Sequence, residues 1–397
     1  MKKQQKNKLV KTLLYLYANN NFYKNILSNI NMDINIDNIE FIYDKLPYIR
    51  KSDIIGQSEK YFSSIGPKIE IKTFITSGTS GQVLECRKSL EECSMLAMKI
   101  WKYRLKVDKK LTFDNYINLF SDEVENLIGH FYSTDKEDLK RNFKKIMEFN
   151  PRWISGPISI IEKWAMMLES KELVSDISCI KYIEFMGEYV DNRKRKYIEE
   201  VFECKTTIHY GLQEVWCVAY DAGDGELDIL ESDFYCEILE EKNGIGEIVI
   251  SSFNNLYMPI IKYRTGDKGK IVESVKSEGK KKLIISNGRV GDEIYGKKIL
   301  GNYFFDQLMW DVNNTYKNVI FSFRVVQSLP EVFDFYIVKN NNFEMQVLSI
   351  IESRMITELG ENIKINYIFQ DKQEFTRNGK MKKFISYTEV CKNKKKA

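Results

Sequence analysis

With 397 residues, of which 43% are hydrophobic, 13% aromatic and 29% charged, the chain exceeds one ordinary domain and can bury a sizeable core. Its formal net charge of +4 is small for that length, and the Lys-rich end CKNKKKA reads as a solvated terminus, so charge points to no nucleic-acid partner. Seven scattered cysteines (86, 93, 179, 204, 217, 236 and 391) without a CxxC pair or a secretory signal point to reduced thiols in the cytoplasm. No run reaches the roughly 18 apolar residues that a membrane span needs.

In chain order, residues 8–30 carry helical periodicity, and the Pro in KLPYIRKSDI breaks regular structure. IEIKTFI reads as a strand feeding the turn TSGTSG, and SLEECSMLAMKIWKYRL reads as the helix after it, with Ser89 as N-cap. Residues 136–174 are expected to be helical in two pieces around NPRWISGP. There follow a strand in IKYIEFMGE, a helix at 191–203 and a strand in TTIHYG. This alternation predicts an α/β core with parallel strands.

From Glu226 the pattern changes to alternating apolar and polar residues with Gly-containing turns, as antiparallel strands require. KKLIISNGRVGDEI marks a candidate boundary, with Gly288 and Gly291 on a short polar turn, and the remainder reads strand, helix, strand, helix. We expect a large domain over 1–288 and a small α+β domain over 289–397.

Thr76, Ser77, Gly78, Thr79, Ser80 and Gly81 form the densest Gly and hydroxyl cluster in the chain. Backbone N–H groups of such a turn can converge on phosphate oxygens, and Gly permits the close approach. The turn is no Walker A loop, because GxxxxGK[ST] does not fit it. By itself a Ser/Thr/Gly turn is more often a plain loop than a binding site.

Read together, TSGTSG, MGE (186–188), HYGLQE (209–214), YRTGD (263–267), NGRVGDEI (287–294) and TRNGKMKK (376–383) resemble the ordered motifs of the adenylate-forming superfamily. The likeness is to its phenylacetate–coenzyme A ligase branch, including relatives linked with capsular polysaccharide biosynthesis, and it covers essentially the whole chain. It implies a large adenylate-forming domain with α/β and β-barrel-like parts and a small mobile C-terminal domain. It also implies an ATP-dependent ligase: a carboxylic acid becomes an acyl-adenylate and is passed to a thiol of coenzyme A or of a carrier protein's phosphopantetheine arm.

The resemblance implies a role for each motif. Residues 76–81 would cradle the β- and γ-phosphates, with Thr79 taking part in catalysis. Glu214 would hold Mg²⁺, a hard cation suited to one carboxylate plus phosphate oxygens and water. His209, Tyr210, Gly211, Gly187 and Glu188 would line the nucleotide, with Tyr210 and Gly211 against the adenine. Gln213 replaces the usual Thr or Ser near the α-phosphate. Asp267 would accept hydrogen bonds from both ribose hydroxyls, and Arg289 would add a second ribose contact. Lys380 would bring a point charge on a flexible stem to the α-phosphate and the acid.

Trp153, Ile154, Ser155, Gly156, Met186 and Gly187 would line the acid pocket, His130 would either line it or pack on its own helix, and Gly291 with Asp292 would form the hinge. The chain departs from the family pattern at Gln82, Val83 and Leu84, where a Pro and a Lys usually follow the phosphate loop, and at Gly291. Three alternatives stay open: transfer to an amine, a degenerate nucleotide-binding relative, and a zinc site built from Cys204, His209, Cys217 and Cys236, whose spacing is irregular.

Overall fold

The N-terminal periodicity resolves into two helices, Lys3–Asn19 and Asn21–Ile30, broken at the extended residue Asn20. The Asn20 side chain caps the second helix by accepting from Tyr23 N at 3.0 Å and also donates to Tyr61 O at 2.8 Å. The cap therefore closes a helix and ties it to a distant loop. A third helix, Ile39–Lys45, stops just before Pro47, as a missing N–H and a clashing ring require. The computed structural model describes residues 1–55, 57–64, 69–76, 83–120, 135–221, 225–242, 244–274, 279–290, 292–372 and 383–394.

Two compact units emerge from the packing. The first comprises Met1–Tyr116, Tyr182–Val190 and Lys205–Ser286; the second comprises Ile117–Lys181, Asp191–Cys204 and Asn287–Ala397. In the first, strands lie side by side in the order Tyr182–Met186, Lys205–Tyr210, Ala219–Asp221, Leu227–Ile229, Lys281–Arg289, Tyr263–Glu273, Ile245–Ser252 and Phe234–Lys242. The first two are parallel, with Met186 opposite His209, and the next pairings are antiparallel. The antiparallel strands expected after Glu226 thus continue the same sheet. Its core gathers Leu9, Leu13 and Leu16 from the first helix with Val215, Ile248, Ile250 and Ile260, all fully buried.

One sequence expectation fails at the hydroxyl-rich turn. A further strand, Glu85–Ser89, stands between that turn and the helix Leu90–Val107, and it pairs antiparallel with Ile71–Ile75, Phe74 opposite Cys86. What precedes the helix is therefore a strand of an antiparallel pair. The reason lies in ECRKS, which looks polar but places Cys86 and Lys88 inward and Glu85 outward. Ser89 is the N-cap that was expected: its Oγ accepts from Glu92 N at 3.1 Å while Glu92 accepts from Ser89 N at 2.8 Å, a reciprocal capping box.

In the second unit, the two helical pieces expected around NPRWISGP are Lys136–Glu148 and Ile158–Glu169, and NPRWISGP between them also holds the fully buried strand Trp153–Gly156. The helix expected at 191–203 runs Asn192–Phe202 with Asp191 as its cap. A four-stranded sheet, in the order Lys364–Phe369, Val332–Lys339, Ile320–Leu329, Phe384–Ile385, packs with the helices Tyr303–Tyr316 and Gln346–Leu359 around Phe305, Phe333, Phe335 and Ile351. The terminal region departs from a simple strand, helix, strand, helix order, because Ile320–Leu329 and Val332–Lys339 form a hairpin. Gly288, expected on a turn, lies inside the strand Lys281–Arg289 with φ +103°, a conformation that favours Gly. Among the described residues no helix is long and apolar enough to cross a membrane.

Candidate active site

Parallel strands present their carboxyl ends on one edge, and in open α/β sheets ligands bind there. Here that edge carries Met186, Gly187 and Glu188 after one strand and Tyr210 to Glu214 after its neighbour. Gly187 takes φ +79°, which lets the chain leave the strand in a direction other residues resist. The turn after Tyr210 is tight: Trp216 N and Val215 N both donate to Leu212 O, Val218 N donates to Tyr210 O at 2.8 Å, and Trp216 adopts φ +66°.

A Cβ at Gly211 would lie 1.4 Å from the Trp216 carbonyl oxygen, so backbone meets backbone with nothing able to yield. We expect Gly211→Ala to cost about 3 kcal/mol of stability by overpacking and to open this turn. A denaturation midpoint within error of the parent protein would refute that assignment of the turn.

The motif YRTGD is distributed over four partners. Tyr263 Oη donates to Glu214 Oε1 at 2.7 Å, and Arg264 Nε donates to Glu247 Oε2 at 2.7 Å. Thr265 Oγ1 donates to Ile248 O at 2.8 Å, while Gly266, at φ +78°, donates its N–H to Glu247 Oε1 at 3.0 Å. Asp267 Oδ2 accepts from Tyr210 Oη at 3.1 Å. The structure thus brings Tyr210 and Asp267 together and ties the Glu214 turn to the Asp267 strand through Tyr263.

Glu214 is 5% exposed, its backbone O accepts from Asn255 Nδ2 at 2.9 Å, and among the described residues its Oε2 has no hydrogen-bond partner. A single carboxylate held this way fits a hard divalent cation that draws its other ligands from phosphate oxygens and water. Among the described residues no three His, Cys, Asp or Glu side chains are grouped to hold a metal. Cys204, suggested with His209, Cys217 and Cys236 for zinc, belongs to the other compact unit. Burial pushes the Cys204 and Cys236 thiols up to about 12.

Beneath the same edge lies a buried charged cluster that sequence reasoning did not find. Arg104 donates to both oxygens of the fully buried Glu184, at 2.9 Å from Nε and 2.6 Å from the second nitrogen, and Tyr220 Oη adds a third bond at 2.8 Å. Burial alone would raise the Glu184 carboxyl; Arg104 and His209 outweigh it and hold the group well below the usual carboxylate range. His209 places Nδ1 3.6 Å from Glu184 and Nε2 3.2 Å from Trp216 O. Burial opposes its charged form, but Cys217 and Glu184 favour that form more, and the imidazole is pushed up to about 10. His209, expected to line the nucleotide, is 5% exposed and faces this cluster.

Thr76 closes the mouth of the hydroxyl-rich loop: its N–H donates to Leu84 O at 3.0 Å and its Oγ1 accepts from Leu84 N at 2.9 Å, leaving the hydroxyl proton to donate. Ser77, Gly78, Thr79, Ser80, Gly81, His130, Gly291 and Lys380 lie outside the described residues. Met186 and Gly187 belong to the first unit, whereas Trp153, Ser155 and Gly156 form a buried strand of the second. A Cβ at Gly156 would lie 2.4 Å from Leu119 Cδ1, so this Gly is a packing requirement inside that unit. Arg289 and Asp292 close a short turn, Asp292 N donating to Arg289 O at 3.2 Å, and Asn302 Nδ2 reaches Asp292 Oδ2 at 3.4 Å. Gln213 offers its backbone carbonyl to Lys88 Nζ at 2.7 Å, a contact that no motif announced.

No protein-family model matches the chain. It is 22% identical to protein CapK of Staphylococcus aureus over 399 aligned residues, covering 92% of this chain and 85% of that protein. Among solved structures it superposes on 2-hydroxyisobutyryl-CoA ligase in the postadenylation state with 2-HIB-AMP, with TM-score 0.74 and 14% identity over 99% of this chain and 92% of that one. It also superposes on McyG A-PCP complexed with phenylalanyl-adenylate, with TM-score 0.55 and 14% identity over 84% of this chain and 68% of that one. The chain has the α/β fold seen in adenylate-forming enzymes and is similar in sequence to CapK over most of its length.

Proposed function

We propose that this chain, built on the adenylate-forming fold, joins a carboxylic acid to ATP and passes the acyl group from the resulting adenylate to a thiol of coenzyme A or a carrier protein. The observation that carries this reading is the pairing of Tyr210 with Asp267 and of Tyr263 with Glu214 at the carboxyl edge of the parallel strands, where the motif residues of a nucleotide site converge. In the first step a carboxylate oxygen attacks the α-phosphorus and pyrophosphate leaves. In the second a thiol attacks the acyl carbon and AMP leaves.

Both reactants of the first step are anions, so the site must align them and offset charge. Residues 76–81 hold the terminal phosphates through backbone N–H groups and hydroxyls. Asp267 binds the ribose, with Tyr210 fixing its carboxylate, and Arg289 adds to that contact. Gln213 offers an amide donor near the α-phosphate. Glu214, held by Tyr263, is the ligand for Mg²⁺, which when bound offsets phosphate charge. Lys380 supplies a further cation to the α-phosphate. The domain division at residues 288 and 289, a hinge at Gly291 and Asp292, and action in the reducing cytoplasm complete the reading.

The test is ATP–pyrophosphate exchange over a panel of benzoic, phenylacetic, hydroxybenzoic, fatty and amino acids. Exchange stimulated by an acid supports adenylation and names its class; absence of stimulation by every acid, with ATP bound, refutes it in favour of a nucleotide-binding relative without turnover. We expect Asp267→Ala to weaken ATP binding by about 10- to 100-fold, the worth of hydrogen bonds to a charged group. Unchanged ATP affinity in a calorimetric titration would remove the ribose role.

A further inference from the structure

Lys88 is 1% exposed, yet it carries an ammonium on the hairpin strand Glu85–Ser89. Taking an ammonium out of water costs several kcal/mol unless partners replace the lost hydration. Among the described residues Lys88 makes no ion pair with a carboxylate. Its hydrogen bond goes to the Gln213 carbonyl at 2.7 Å, and two aromatic faces lie nearby, Phe74 at 5.2 Å and Trp216 at 5.9 Å. Methionine would fill the same stem volume without a charge to desolvate. The buried ammonium therefore carries a cost, and its grip falls on the residue immediately before Glu214.

The carbonyl it grips belongs to the tight turn whose other restraints are Asn255 on the Glu214 backbone and Tyr263 on the Glu214 carboxylate. The three contacts come from three separate segments: the hairpin, the loop after Ile245–Ser252 and the strand Tyr263–Glu273. Together they fix the backbone on both sides of the Glu214 Cα and one oxygen of its side chain. The hairpin also carries the hydroxyl-rich loop, closed at Thr76 and Leu84 four residues before Lys88. Lys88 is thus the physical link between the strand that leaves that loop and the turn that bears the carboxylate.

We infer that Lys88 is a positioning residue that clamps the Gln213–Glu214 turn to the phosphate-loop hairpin and so sets the carboxylate for a divalent cation carried by the nucleotide. This rests on the ATP-dependent reading above. Lys88 touches no reacting atom; it acts through the Gln213 carbonyl.

The experiment measures ATP affinity of the full chain at equilibrium, in EDTA and in Mg²⁺, for the parent protein, Lys88→Met, Glu214→Gln and the double variant. The expected result is that Lys88→Met loses about tenfold of the Mg²⁺-dependent gain in affinity, keeps its EDTA affinity within about twofold, and adds nothing when Glu214 is already Gln. If Lys88→Met lowers both affinities equally, or adds its full effect in the Glu214→Gln background, the clamp is merely structural and the inference fails.

Lys88→Leu, which keeps an apolar stem and removes the donor, carries the same cycle should Lys88→Met not fold; an unchanged Mg²⁺-dependent gain in that folded variant would also overturn the inference. A parent protein that binds no ATP in either condition overturns the nucleotide reading itself, an outcome distinct from one in which only the Lys88 variants behave like the parent.

Discussion

Lys380→Ala lowers acid-stimulated ATP–pyrophosphate exchange by about 100- to 1,000-fold, the range seen when one preorganised charge contact is removed from a developing anion. Transfer of the acyl group from a supplied acyl-adenylate to a thiol stays within a few-fold of the parent. The asymmetry follows from the two steps. In adenylation a carboxylate approaches a phosphate and a cation between them is needed; in transfer AMP departs and a neutral acyl carbon is attacked by sulfur.

The segment that carries Lys380 ends on a firm anchor. Lys383 Nζ pairs with Asp306 Oδ1 at 2.6 Å, and Val325 N donates to Lys383 O at 2.8 Å. The next residue, Phe384, joins the four-stranded sheet opposite Val325 and packs against Phe305 with ring centroids 5.2 Å apart. Lys380 stands three residues before that anchor in the sequence. Equal losses in both half-reactions would show that the substitution damages the fold or the acid site, and would remove Lys380 from its assigned role.

Glu184→Gln destabilises the protein by about 3–5 kcal/mol, because it leaves the Arg104 guanidinium, 5% exposed, without its carboxylate. Arginine cannot escape by losing its proton. Its remaining partners, the rings of Tyr116 at 4.4 Å and Trp101 at 5.7 Å, offset a small part of that cost. The pH dependence has a definite sign. Glu184 is held below its ordinary value in the fold, so its contribution is present above the unfolded value near 4.5 and is lost as pH falls through the folded value. Glu184→Gln has no such titration, so the gap between the two proteins is widest at neutral pH and narrows on acidification.

Denaturant unfolding at pH 7 and pH 4 measures both. The double replacement Arg104→Met with Glu184→Leu recovers most of the loss, since it removes both desolvated charges. A single Glu184→Gln loss below about 1 kcal/mol at pH 7 would mean that water reaches the pair.

Several elements were legible because their physics is local. The cap at Ser89 needs only a hydroxyl and a Glu three residues on, and both are adjacent in sequence. The strands Tyr182–Met186 and Lys205–Tyr210, and the helix between them capped by Asp191, follow from hydrophobic period and cap chemistry. The ordered motifs pointed to Tyr210, Glu214 and Asp267, and the fold places Tyr210 against Asp267. Tyr263 stood in plain view inside YRTGD, but nothing in a sequence says that its hydroxyl turns toward Glu214, 49 positions earlier.

Composition, the run of motifs and their order were determined by the sequence alone, and with them the adenylate-forming fold. Tertiary structure decided the rest, because it depends on which distant residues meet in a dry interior. ECRKS reads as a polar link until its pairing with IKTFI turns Cys86 and Lys88 inward. Lys88 reads as a surface lysine until the Gln213 carbonyl and two aromatic rings enclose it. Arg104 and Glu184 read as one charge on a helix and one in a strand, 80 positions apart. Only the low dielectric of a shared core makes them a pair, and there a charge is held by its partner or not held at all.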